Sequence, residues 1–250
     1  MTTRFILISP ARSGSTMIRA TMAEHPQILM HGEVMGQNQV RSVMKAYLQE
    51  PIKTLGQEEF LNAMMLARRR DTRKFIADTL FKLGGKKRAV GFKLILDQAF
   101  SMHFSDAYLW LAEQNDIKII WLIRKNHLAC YASRLLVPKG RILVSAKVEL
   151  PTQLTTEVDP DEFQQYIRNQ EAAMKIMRER FIDHQSLDIV YEDIVKDPRA
   201  GYKKIFSFLG VDDDVEPHVA TKKVNSTNLN EVISNLEVIR NHIVVRPFVD

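Results

Sequence analysis

The sequence predicts an α/β fold in which a mostly parallel central sheet carries helices on both faces. Three observations lead there. Short apolar runs of strand length alternate with longer stretches of helical periodicity; the runs lack the polar alternation of a half-exposed strand; and several empty into a polar or charged residue. Alternating strands and helices favour parallel strands joined by right-handed crossovers, and strands buried on both faces read as unbroken apolar runs. With 250 residues, 45% of them hydrophobic, the chain can bury a substantial core, read as one domain over residues 1–250.

The first strand runs from Phe5 to Ile8 and stops at Pro10. The loop Ser9-Pro-Ala-Arg-Ser-Gly-Ser-Thr16 then opens a helix with Met17, Ile18, Ala20 and Met22 at its apolar positions and Ser13, or a neighbour, as its cap. Gly14 lets the backbone approach a ligand closely, the helix start offers unpaired N–H groups, and Arg12 adds a full charge. The stretch is therefore P-loop-like, shaped for a phosphate, although a plain strand-to-helix turn has the same local pattern.

Gln27 to Glu33 is a second short strand emptying into a loop, where His31 and Glu33 flank Gly32. Residues 36–84 read as helical, with Val40, Val43, Met44, Tyr47 and Leu48 at helical spacing and Arg68-Arg-Arg70 as a solvated face. Ala89 to Leu96 is the next strand, with Lys93 inside it and Asp97 at its end. A helix from Phe104 to Glu113 leads to the strand Ile117 to Ile123, which stops at Arg124, and a helix from Asn126 to Leu136 follows. Periodicity fails over residues 138–160, the mark of an extended loop or lid at an acceptor site. Asp159 caps a long helix whose Phe163, Ile167, Met174, Met177 and Phe181 are core positions. Leu187 to Tyr191 is the last strand, Asp197-Pro198 opens a helix closed by Gly210, and a final helix covers Leu229 to Asn241.

In such sheets ligands bind beyond the carboxyl ends of the strands, where Arg12, Glu33, Lys93 or Asp97, Arg124 and Tyr191 all fall. A formal charge of +5 and a pI near 9.2 favour anionic ligands. They also fit a nucleic-acid surface, but no aromatic-basic platform or binding motif accompanies the Arg68 to Arg70 patch. A single cysteine, Cys130, rules out an internal disulfide framework. With neither a leader pattern nor an apolar run of membrane-spanning length, the expectation is a cytoplasmic protein. A P-loop kinase or NTPase shares the loop, and Phe92 to Asp97 imitates a strand ending in a metal-holding aspartate. Yet Ser15 follows Gly14 where the Gly-Lys step would be, so no lysine is placed for the β/γ-phosphates.

Ser9 to Thr16, and Ile119-Ile-Trp-Leu-Ile-Arg-Lys-Asn-His-Leu-Ala-Cys-Tyr-Ala-Ser133, together resemble the sulfotransferases that use 3′-phosphoadenosine 5′-phosphosulfate (PAPS). The resemblance implies that Arg12, Ser13, Gly14, Ser15 and Thr16 hold the 5′-phosphosulfate and that Arg124 and Ser133 hold the 3′-phosphate. Tyr191-Glu-Asp-Ile194, with Asp197-Pro198 and Phe206 to Gly210, looks like a third family stretch, placing Tyr191 near adenine. Arg-Ser-Gly-Ser-Thr, then Glu24-His-Pro26 and Gly32-Glu33, is similar to the bacterial carbohydrate branch of nodulation and trehalose type and to the tyrosylprotein branch. Glu33 is then the implied base, with His31 the fallback, and Lys93 reaches the transferring sulfonate or its acceptor. Three features depart from the family pattern. Arg12 stands where many members have lysine, Ser133 lies one residue further from Arg124 than in the cytosolic enzymes, and the usual Gly-rich cofactor loop is replaced by Lys222-Lys223-Val-Asn225. The implied reaction passes a sulfuryl group in line to a hydroxyl of a small-molecule or glycan acceptor, a carbohydrate or glycolipid, with no metal and no specific nucleic-acid partner.

Overall fold

The computed structural model describes residues 1–36, 55–99, 104–136, 154–218 and 228–249. Five strands, β1 (Thr3–Ser9), β2 (Ile28–Met30), β3 (Ala89–Ile95), β4 (Lys118–Ile123) and β5 (Ser186–Val190), form one all-parallel sheet in the order β2-β3-β1-β4-β5. The chain winds outward from β1 to β2, returns to β3, then crosses β1 to β4 and β5. Its winding therefore reverses about β1, and the crevice of such a switch point opens above the carboxyl ends of β1 and its neighbours.

Strand periodicity of two decides what each face buries. Ile6 and Ile8 of β1, Phe92 and Leu94 of β3 and Trp121 of β4 join one core cluster with α2 (Leu55–Arg70), α3 (Ser105–Ala112) and α5 (Pro160–Arg180). Phe5, Leu7, Ile120, Leu122 and Ile189 form the opposite face, covered by α1 (Ser15–Glu24), α6 (Tyr191–Lys196) and α7 (Pro198–Leu209). Helices on both faces of a parallel sheet are thus observed as expected. By the same alternation Lys93 faces the α1 side, since Phe92 and Leu94 face the other. A third cluster joins α4 (His127–Leu135) and Phe163 to the C-terminal residues Val232, Ile233, Leu236 and Val245.

The caps follow sequence chemistry closely. Asp159 accepts from the N–H groups of Asp161 and Glu162 at 2.9 Å, and Asp197 accepts from Ala200 at 3.0 Å. Asn126 caps α4, and Gly210 ends α7 at φ 73°.

The structure departs from the expectation in three places. The final helix is two short ones, Leu229–Val232 and Leu236–Ile239, because the chain between them is held by residues upstream of α5. Ile233 bridges Thr156, and the Asn235 amide bonds both Val158 N and Val158 O at 3.0 Å. The helical segment after Gly36 includes a π-helical turn, Phe75–Leu80, and a 3₁₀ turn, Lys82–Gly84; Val40 to Leu48 lie outside the described residues, as do residues 138–153 of the expected lid. Finally, Arg68 is no part of a solvated face. It is 2% exposed, on the stripe of α2 that also buries Leu61 and Met64, and its Nη1 donates to Val34 O at 2.6 Å and Gly36 O at 2.8 Å. No helix among the described residues is long and apolar enough to cross a membrane.

Arg68 therefore ties α2 to the turn that follows Glu33. Arg68→Met should lower stability by about 2 kcal/mol, because two carbonyls lose a charged donor while relief from burying a charge offsets part of the loss. Urea unfolding with an unchanged m-value would read this directly.

Candidate active site

The loop between β1 and α1 is built around two unusual backbone conformations. Arg12 at φ 63° and Gly14 at φ 87° both lie in the left-handed region, which for arginine costs about 1–2 kcal/mol and is characteristic of functional loops. Ser13 does not cap α1. Its hydroxyl, fully buried, donates to Pro10 O at 2.8 Å and closes the loop on itself. Gly14 takes the N-cap position with no side chain bonding the first turn, so the helix start is left to serve an outside anion. A methyl group at Gly14 would lie 2.1 Å from Cε2 of Tyr191, so the loop rests directly on that ring.

Beside this loop stands a buried ion pair. Lys93, 3% exposed, places Nζ 2.7 Å from Oε1 of Glu33 and 3.3 Å from Oγ1 of Thr16, the latter one residue into α1. Burial pushes the Lys93 ammonium below the usual lysine range, Glu33 pulls it back, and Arg19 and Arg12 add to the lowering. The other carboxylate oxygen of Glu33, Oε2, accepts from Nε2 of Gln98 at 2.8 Å. Arg19, one turn beyond Thr16 on α1, is a further cation that senses Glu33; burial lowers its pKa and Glu33 opposes the lowering. His31 is 1% exposed, and its N–H continues the sheet to Gly91 O at 2.8 Å.

The second anion stretch lies across the crevice at the end of β4. Arg124 stacks its guanidinium 4.3 Å from the centre of the Tyr191 ring, and its Nε is 3.7 Å from Oε1 of Glu192. That separation makes an ion pair but no hydrogen bond, so this buried N–H keeps an unused donor. Glu192 instead accepts from the backbone N–H groups of Lys125 and Asn126, both at 3.1 Å, and so pins the turn that carries Arg124. Ser133 is buried on α4 and accepts from Nε of Arg12 at 3.0 Å, which joins the two anion stretches directly. Cys130 donates its thiol to Arg12 O at 3.5 Å; burial pushes its pKa up to about 11 and keeps it protonated. Tyr191, 7% exposed, is wedged between Gly14 and Arg124, with its hydroxyl pKa raised by burial and opposed by Arg124.

Ten expected site residues, Arg12, Ser13, Gly14, Ser15, Thr16, Glu33, Lys93, Arg124, Ser133 and Tyr191, thus sit on the loops, strands and helices around the β1 switch point. Lys223 lies outside the described residues. Asp97, the aspartate that imitates a metal ligand, is an exposed residue paired with Arg134 at 3.3 Å.

The sequence profile of the sulfotransferase family matches residues 5–215. The chain belongs to the sulfotransferase family. No individually curated protein sequence matches it at a significant level. Among solved structures, this sulfotransferase is similar to the sulfotransferase domain from the curacin biosynthetic pathway, at 14% identity and TM-score 0.58, over 94% of this chain and 86% of that one. It is also similar to the sulfotransferase domain of the Synechococcus PCC 7002 olefin synthase, at 16% identity and TM-score 0.50, over 92% and 83%. A sulfotransferase from Alicyclobacillus acidocaldarius aligns over 100% and 96% at 17% identity and TM-score 0.46. The first two likenesses support the fold. Family membership makes the chain a transferase of the sulfotransferase class and sets the kinase and NTPase reading aside.

Four polar residues of this site escaped sequence reading: Arg19, Arg68, Gln98 and Glu192. Arg68 had a signal, its seven-residue spacing from Leu61 on the apolar stripe. The others have no local pattern, because their roles come from contacts across the fold.

Gly14→Ala should destabilise the sulfotransferase by about 2–4 kcal/mol, the sum of a left-handed alanine and an overpacked ring contact. Adding Tyr191→Leu should recover the packing part and leave the backbone part. Thermal unfolding of the single and double variants separates the two.

Proposed function

We propose that the protein transfers a sulfuryl group from PAPS to a hydroxyl of a carbohydrate or glycolipid acceptor, with Glu33 as the base, within one domain and in the cytoplasm. The observation that carries the reading is the chain from Glu33 Oε1 through Lys93 Nζ to Thr16 Oγ1, at 2.7 Å and 3.3 Å, which links a carboxylate base to an anion-holding loop. The donor set suits a molecule with two phosphates. One position has an uncapped helix start beside Gly14 and Arg12, and the other has the unused, buried Nε of Arg124. When bound, PAPS supplies the sulfuryl group and a phosphate that leaves with its charge.

In this reading Arg12 and the N–H groups of Ser13 to Thr16 hold the 5′-phosphate and stabilise the negative charge that grows on it. Arg124 and Ser133 hold the 3′-phosphate, Lys223 is a further contact to the cofactor, and Tyr191 spaces the two positions. Glu33 accepts the acceptor's proton as its oxygen forms the new bond to sulfur. Lys93, already at the junction of base and loop, neutralises the sulfonate oxygens, with His31 as the fallback base. The carbohydrate class rests on the resemblance of Arg12 to Thr16 and Gly32-Glu33 to the bacterial carbohydrate branch. In this proposal the transfer requires no metal, since arginine, lysine and helix N–H groups supply the positive charge.

Three outcomes test it. Arg124→Ala should weaken calorimetric binding of 3′-phosphoadenosine 5′-phosphate by about 10- to 100-fold, the worth of charged hydrogen bonds. Glu33→Gln should keep that binding and lose about 10²- to 10⁴-fold in turnover; a fully active variant would move the base elsewhere. Because burial lowers the Lys93 pKa, its cation is lost at a lower pH than an ordinary lysine's. The alkaline limb of kcat should therefore fall below the ordinary lysine range and move upward in Lys93→Arg, whose guanidinium stays protonated.

A further inference from the structure

We infer that Gln98 is a positioning residue of the transfer reaction: it fixes the rotation of the Glu33 carboxylate so that a chosen lone pair faces the acceptor hydroxyl. The inference rests on the reading of Glu33 as the base.

A glutamate on a loop ordinarily turns freely about its last bond. Here both oxygens are held, Oε1 by Lys93 Nζ at 2.7 Å and Oε2 by Gln98 Nε2 at 2.8 Å. The two donors come from β3 and from the short helix Leu96–Ala99 just after it, five residues apart, so one short stretch of chain sets the carboxylate plane. An ionised carboxylate has about four acceptor positions. Two are used, and the remaining ones point in directions that the two donors determine.

The amide of Gln98 is itself oriented. Its Oε1 accepts from the backbone N–H of Ile95 at 3.4 Å, the last residue of β3, which turns Nε2 toward Glu33. Gln98 thereby carries the rigidity of the central sheet out to a loop carboxylate. From the other side, Arg68 holds the turn after Glu33 by its carbonyls, so the residue is fixed at both backbone and side chain. Lys93 cannot do the orienting alone. Its ammonium is a rotating point donor shared with Thr16, whereas the planar amide of Gln98 defines a direction.

The test uses the full chain, with PAPS as donor and water as the acceptor, read as release of 3′-phosphoadenosine 5′-phosphate. It compares wild type, Gln98→Met, Glu33→Gln and the double variant. Gln98→Met keeps the side-chain length and removes the donor. It should lower the transfer rate about 10- to 100-fold, as misplacement of a reacting group does, with calorimetric product binding and unfolding temperature unchanged. In the Glu33→Gln background the same change should cost nothing more, because the two residues act through one contact.

A second readout is independent of turnover. Carbon-13 NMR of the Glu33 carboxyl, at one fixed pH, should show a changed chemical shift in Gln98→Met relative to wild type, since the hydrogen bond to its Oε2 is lost. The charges that face Glu33 from the loop, α1 and β3, namely Arg12, Arg19 and Lys93, are the same in both proteins. Unchanged transfer and an unchanged Glu33 carboxyl chemical shift in Gln98→Met, with Glu33→Gln inactive, overturn the inference and leave the base reading standing. Additive losses in the double variant also overturn the inference alone. Full activity in Glu33→Gln overturns both.

Discussion

The contact on which the site depends is the 2.7 Å pair between Lys93 and Glu33. A lysine in an interior strand of a doubly covered sheet is costly to bury unless its charge is met at close range. Lys93 is 3% exposed, so its ammonium needs the carboxylate that arrives from the end of β2 and the hydroxyl that arrives from α1. Satisfying one buried charge thus draws three separate elements to a common point. The backbone around that point is then fixed by less conspicuous bonds, from Arg68 to the turn after Glu33 and from Ser13 to Pro10.

Across the crevice the order of support is different. Arg124 is held by an aromatic face and by a carboxylate at ion-pair distance, while Glu192 spends its hydrogen bonds on the backbone beneath it. The guanidinium is therefore placed without its donors being consumed. Arg12 is placed in the opposite way, by a left-handed backbone and a bond to Ser133. Tyr191 lies between them, touching Gly14 on one side and Arg124 on the other, so the spacing of the two cationic loops is set by the thickness of one buried ring.

Most of the scaffold was legible in the sequence because its signals are local. Continuous apolar runs marked all the long strands, Asp159 and Asp197 announced their helices, and the loop before α1 declared itself through Gly14 and Arg12. Lys93 stood out as a lysine within a strand, but its partners could not be read, since Glu33 and Thr16 lie 60 and 77 residues away in the chain. Arg68 was misread as solvated because three consecutive arginines look like a surface. The helical spacing from Leu61 and Met64 pointed inward instead. Gln98 and Glu192 have no periodicity to betray them; each matters through a bond to a loop that only the folded sheet brings near. The split of the last helix was likewise invisible, because Asn235 is taken up by Val158 rather than by its own helix.

The family profile ends at residue 215, yet the fold does not. Residues 228–249 cover α4 with Val232, Ile233, Leu236 and Val245, and Phe248 packs its ring 5.6 Å from both His127 and Phe163. Its carbonyl accepts from the side chain of Asn126, two residues after Arg124 and the cap of the helix that bears Ser133. A segment that the family pattern leaves out is therefore a retaining wall for the half of the site that the pattern includes. Two sulfotransferases with identical anion loops could differ in how firmly they grip a nucleotide simply because their tails differ, and shortening this chain to the family boundary would remove that wall.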